Sequence, residues 1–275
     1  MTLVLSLAAA LVYGAADFLG GLASRRAAVI TVVFGSQFAG LVVLAIAVPL
    51  IGGQFHPADL LLGSGAGLLG ALAITLLYRA LSVGTMGIVS PITAVLAAAI
   101  PAVYGFALGE RPAVWALAGI GLALVAIVVV SFAGSPEQTA RGIPEAILAG
   151  VLFAAFFIVL ARTSPAAGLW PLVGARSASI VAFALVALVA RAPLIPPRGV
   201  RWTVAISGLT DMLANVLYVL AVHGGMIAIV AVITSLYPAS TVALAAIVLR
   251  ERLSRRQWAG VGCAFAGIVS IAFAR

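Results

Sequence analysis

The chain has 275 residues, 64% of them hydrophobic and 8% charged, with a mean hydropathy of +1.28 and a formal net charge of +8. A soluble globular chain is about half apolar and about a quarter charged, so this composition excludes a water-soluble domain and makes lipid the solvent. The basic residues stand singly between apolar runs rather than along one stripe, which argues against nucleic acid as a partner.

Gly, Pro and Arg punctuation divides the chain into apolar segments of about 20 residues, each long enough to cross the roughly 30 Å hydrocarbon core as a helix. The first half gives 2–23, 29–51, 58–80, 86–108 and 112–133. The first of these reads as a retained membrane span, because Arg25 and Arg26 follow its apolar run instead of preceding it. A polar link, SPEQTARGIPE at 135–145, marks the midpoint. The second half gives 143–162, 169–190, 202–222, 227–249 and 254–274. The expected fold is an all-α membrane protein of ten transmembrane helices, with a first five-helix unit over 1–134, a linker over 135–142 and a second unit over 143–275. Trp115, Trp202 and Trp258 open their segments as interfacial tryptophans do; Trp170, in GLWP, fits either that belt or a cavity wall. Cys263 is the single cysteine, so no disulfide closes within the chain.

Sliding the chain by 141 residues aligns its halves without a gap. IVSPIT at 88–93 falls on IVAVIT at 229–234, and Ser36/Ser177, Gly67/Gly208, Glu110/Glu251, Arg111/Arg252 and Gly119/Gly260 coincide. Polar and glycine matches in one register indicate an internal duplication. Five spans per half is an odd number, so the second copy enters the membrane from the opposite side. The result is an inverted repeat, an arrangement common in secondary transporters, with the substrate site near the midplane between the halves.

Several features repeat in the same order in both halves: a Tyr near the end of the third segment (Tyr78, Tyr218), a Leu-x-Glu-Arg turn closing the fourth (Leu108–Arg111, Leu249–Arg252), and Gly119 or Gly260 beyond it. With Ser235-Leu236-Tyr237-Pro238, they resemble the EamA-type domain of the drug/metabolite transporter superfamily across nearly the whole chain. The first half departs from the pattern, with Ala97 at the offset of Pro238 and its own prolines at Pro91 and Pro101. The resemblance implies a ten-helix carrier of small metabolites, often an exporter of amino acids or related amphipathic compounds, with both termini inside the cell.

Four charges lie within or at the edges of the segments: Asp17, Arg79, Arg176 and Asp211. An ionisable group in a membrane span is costly, so it pairs, faces water or works. None has a charged counterpart at the 141-residue offset, and a ligand that lacks two-fold symmetry needs a site that breaks it. At about 1.5 Å of rise per residue, Asp17 and Asp211 lie at similar depth from one membrane face. Asp17 with Arg79, or either Asp with Arg176, makes a pair that a zwitterionic substrate would interrupt. Arg79 also fits a snorkelling residue, and the two Asp fit polar contacts between helices. Asn215 shares a helical face with Asp211, and Gln37 is the polar residue of the second segment. All five tyrosines lie in the segments, and some are expected to face a cavity. The expected substrate contacts are Asp17, Tyr78, Arg79, Trp170, Arg176, Asp211, Asn215 and Tyr237, with Asp17 and Asp211 as candidates for proton coupling. Pro91 and Pro238 are the candidate hinges; a packing kink explains them equally well. The two copies of the repeated phrase differ at Ser90/Ala231 and Pro91/Val232, further candidates for the substrate path.

Counted by side, arginines cluster on the face reached by the C-terminal end of the first segment, which the positive-inside rule places in the cytoplasm with both termini outside. No P-loop, no metal-ligand set and no cofactor motif stands in the sequence. The expected partners are a small-molecule substrate and the lipid bilayer of the plasma membrane, around a monomer. An intramembrane enzyme would need a motif such as HExxH or GxSxG, which the chain lacks. A membrane sensor would need a soluble domain or long loops, and the longest link spans about eleven residues.

Overall fold

The computed structural model describes residues 1–84, 86–131, 142–191, 193–248 and 255–272. The α-helices are α1 (Thr2–Ser24), α2 (Val29–Ile51), α3 (Pro57–Val83), α4 (Met86–Ala107), α5 (Val114–Ser131), α6 (Ile143–Ala161), α7 (Trp170–Val189), α8 (Arg201–Val222), α9 (Ile227–Thr234), α10 (Tyr237–Val248) and α11 (Arg255–Ala272). No strand occurs among the described residues. Among the described residues, six stretches are long and apolar enough to cross a bilayer: α1, α2, α3, α6, α7, and α8 with the short turn before it. Shorter apolar stretches lie in α4, in α5 and across α9 into α10. The expected linker at 135–141, the Leu249–Arg252 turn, and the ends Phe132 and Phe273 fall outside the described residues.

The single segment expected over 227–249 is a pair of helices. Pro238 carries no N–H for the Thr234 carbonyl, and its ring crowds that carbonyl, which weakens the ladder where α9 gives way to α10. The chain instead turns through Ser235 and Leu236, where Leu236 N donates to Ile233 O at 3.1 Å and Ala239 N to Leu236 O at 3.0 Å. Its first-half counterpart α4 stays continuous through both Pro91 and Pro101. The two copies therefore bend differently.

Large side chains such as Phe38, Val42, Ile46 and Leu50 of α2 point outward, while the interior is rich in alanine and glycine. That distribution suits a lipid solvent, in which helices associate through close backbone approach rather than by hiding apolar surface. A Cβ at Gly67 of α3 would collide with the Ala175 carbonyl of α7, and one at Gly208 of α8 with the Ser36 carbonyl of α2. The packing comes in pairs. α1 lies on α8 and α6 on α3; α2 lies on α8 and α7 on α3; α4 lies on α6, while α9 and α10 lie on α1. α2 also meets α7, α5 meets α11, and α4 meets α9. The tyrosines follow the same rule. Tyr78 O–H reaches the Ala16 carbonyl at 3.5 Å and Ser207 Oγ at 3.0 Å, and Tyr218 O–H donates to the Phe157 carbonyl at 3.1 Å. Ala16 and Phe157 are 141 residues apart.

Candidate functional site

The small residues of α3, where α6 and α7 close in, leave room for a cleft of about 440 Å³ with its open mouth included. Its polar wall is built by both halves of the chain: Tyr13 and Gln37 come from α1 and α2, and Arg176, Ser179, Asp211 and Asn215 from α7 and α8. Phe153 and Phe156 of α6 supply an apolar wall.

The polar groups form one network. Arg176 Nη2 donates to Asp211 Oδ2 at 2.9 Å, and Arg176 Nη1 donates to Gln37 Oε1. Ser179 Oγ donates to the same Gln37 oxygen at 2.9 Å. Asn215 Nδ2 donates to the Asp211 carbonyl at 2.8 Å, and Tyr13 O–H donates to Asn215 Oδ1 at 2.9 Å. Helical spacing places these groups: Ser179 lies three residues after Arg176, and Asn215 four after Asp211, so each pair shares a face. Arg176 Nε is buried and, among the described residues, without a partner.

A second chamber of about 300 Å³ continues from the first, sharing Tyr13, Ile74, Phe153 and Asp211 with it. Asp17, Phe157 and Tyr237 complete its wall. Asp17 is 5% exposed, and among the described residues it has no hydrogen-bond or ion-pair partner.

Of the residues expected to contact substrate, Arg176, Asp211 and Asn215 line the first chamber, and Asp17 and Tyr237 line the second with Asp211. The structure does not bring Arg79, Tyr78 or Trp170 to either wall. Arg79 is exposed, with its Nε 3.5 Å from Glu145 Oε1. It ties α3 to the start of α6, outside the cleft. Tyr78 is fully buried and spends its hydroxyl on α1 and α8. Trp170 packs edge-on against Phe55 at 5.2 Å. Of the candidate hinges, Pro238 sits at the α9–α10 break and Pro91 inside the unbroken α4. Ser90 is buried with its hydroxyl unpartnered, and Val232 is buried.

Sequence reasoning passed over Tyr13, Ser179 and Glu110. Ser179 was signalled by its place one turn beyond Arg176. Glu110 reads in the sequence only as a mark of the repeat. In the structure its carboxylate accepts from the backbone N–H of Ile227 at 2.7 Å and of Ala228 at 3.0 Å, capping α9. Carboxylates are favoured at helix N-termini, but nothing in the sequence says which helix this one reaches.

Helices of this length and hydropathy around a buried polar cleft define a multi-pass integral membrane protein. The model of the EamA-like transporter family matches residues 140–273. That match spans most of the second half of the chain and supports the resemblance to EamA-type members of the drug/metabolite transporter superfamily. Proteins of this family are transporters rather than enzymes. One solved crystal structure is similar over 96% of this chain and 96% of its own, with a TM-score of 0.71 and 18% identity, a likeness of fold alone. No curated protein matches the sequence.

Proposed function

We propose that the protein is a secondary transporter, working as an exporter, of small amphipathic metabolites such as amino acids. It acts as a monomer in the plasma (cytoplasmic) membrane by alternating access. The observation that carries this reading is the Arg176–Asp211 pair in a cleft walled by both halves, with aromatic rings opposite. A zwitterion with an apolar body satisfies such a wall by interrupting the pair. Ten membrane-spanning segments, arranged as two inverted five-helix repeats over 1–134 and 143–275, supply the two access states. The gapless 141-residue register supports this arrangement, as does the paired packing of α1 on α8 with α6 on α3. Asp17 and Asp211 carry a coupled proton, and the α9–α10 break at Pro238 serves as a hinge.

The test is uptake and release of a metabolite panel in proteoliposomes. Transport of an amphipathic amino acid or relative, lowered at least about tenfold by Arg176→Gln, supports the reading. Conversion of a panel member without transport overturns it. Proton flux driven by substrate and lost in Asp17→Asn or Asp211→Asn supports coupling; unchanged flux in both variants removes it.

A further inference from the structure

In the first chamber Arg176 and Asp211 cancel each other at 2.9 Å, so the cleft presents one charge that the protein does not balance, Asp17. Its carboxylate is 5% exposed and has no partner among the described residues. A buried lone carboxylate is costly and is relieved by a cation or a proton. The walls around it select between cations. Tyr13, Phe153, Phe157 and Tyr237 surround the chamber with four aromatic rings, and no basic side chain lines it among the described residues. Ring faces attract ammonium groups, most strongly where water is excluded. Tyr237 adds an independent sign: it is 5% exposed, and its buried hydroxyl has no hydrogen-bond partner among the described residues. Such a hydroxyl has both its proton and its lone pairs unspent, and an ammonium group can donate to the lone pairs.

We propose that the Asp17–Tyr237 chamber is the subsite for a protonated amine, the ammonium end of the transported molecule. This rests on the reading of the cleft as a carrier's substrate site. Because the chambers share Tyr13, Ile74, Phe153 and Asp211, one molecule spans both. Its amine lies between Asp17 and the rings, its apolar body lies on Phe153, and any carboxylate it carries reaches Arg176. The substrate class is therefore amphipathic amines, with or without an acid group, and not amphipathic acids lacking nitrogen.

The experiment is calorimetric binding of phenethylamine and of 3-phenylpropionate to the purified full-length protein in detergent. Phenethylamine is expected to bind the unaltered protein, to lose about tenfold or more in affinity in Asp17→Asn, and to keep measurable affinity in Asp17→Glu. Tyr237→Phe, which keeps the ring, is expected to lose about threefold at an unchanged melting temperature. Binding of 3-phenylpropionate is expected to be indifferent to Asp17→Asn. Equal affinity of phenethylamine for the unaltered protein and for folded Asp17→Asn overturns the subsite, as does its failure to bind the unaltered protein. If Asp17→Asn does not fold, unchanged amine affinity in Tyr237→Phe overturns it instead. Amine binding that depends on Asp17, without transport in proteoliposomes, removes the carrier reading and leaves the subsite standing.

Discussion

Arg176 of α7 and Asp211 of α8 neutralise each other at 2.9 Å, while Gln37 of α2 accepts from the other arm of the same guanidinium. The Arg176 side chain is 4% exposed and that of Asp211 17%. A pair this deep adds little net stability over an apolar replacement, but losing one member strands the other.

Asp211→Ala is therefore expected to destabilise the protein by about 3–5 kcal/mol, visible as a lower melting temperature in detergent. The double variant Arg176→Met with Asp211→Leu is expected to recover most of that loss while leaving transport abolished. Recovered transport in the double variant would show the pair to be structural only.

Backbone contact at glycine sets the spacing of α3 against α7 and of α8 against α2. Gly67→Ala and Gly208→Ala place a methyl on a carbonyl oxygen and cannot be absorbed by a side-chain shift. Both are expected to cost about 1–3 kcal/mol, as overpacking does. A Cβ at Gly65, two residues from Gly67, meets nothing within 4 Å. Gly65→Ala is the control, expected to melt as the unaltered protein does. Equal melting of all three would refute the close-approach account.

Glu110 holds the first turn of α9 from outside that helix. Glu110→Gln keeps one acceptor and loses the charge, and Glu110→Ala loses both. The alanine variant is expected to cost about 1–2 kcal/mol and to raise hydrogen exchange at the amides of 227–231, with the glutamine variant between. Exchange unchanged in both variants would mean that the packing of α9 against α4 and α1 alone fixes it.

His223 follows α8, with Nε2 3.2 Å from the Thr163 hydroxyl. Burial holds its imidazole below the ordinary value of 6.5. The folded protein then keeps it neutral at a pH where the unfolded chain already takes up a proton. Its contribution is complete above about pH 6.5 and is lost as pH falls below it. Melting temperatures measured from neutral to acidic pH are expected to drop less steeply in His223→Gln; an identical slope would remove His223 as the cause.

The arginine distribution bears on orientation. A fluorescent protein that matures only in the cytoplasm, fused to the C-terminus, is expected to stay dark if the arginine-rich face is cytoplasmic. Bright cells would put the termini inside, as the family resemblance implies.

The all-helical character and six of the ten expected spans were legible because lipid demands long apolar helices, and the charged candidates stood out against a chain with so few charges. Arg176 with Asp211 was one of the pairings that residue types and depths left open, beside Asp17 with Arg79 and Asp17 with Arg176. The rejection of Arg79 from the cleft was not legible, because a charge at a helix end looks the same whether it turns inward or pairs with Glu145 outside. The roles of Tyr13 and Tyr78 also needed coordinates: both are helical tyrosines in the first half, and only the rotation of their helices sends one to the cleft and the other to Ser207. The break before Pro238 and the continuity through Pro91 show the same limit. Proline removes a hydrogen bond in either place, and neighbouring packing decides whether the helix parts.

That difference between α4 and the α9–α10 pair has a kinetic consequence. If the halves trade roles during a transport cycle, one gate swings as a stiff rod and the other folds at Ser235 and Leu236. The two reorientation steps then cross barriers of unequal height, and initial rates of outward and inward exchange diverge as temperature changes. If the protein is the carrier proposed above, two copies that share a register but not a joint give it unequal rates in its two directions.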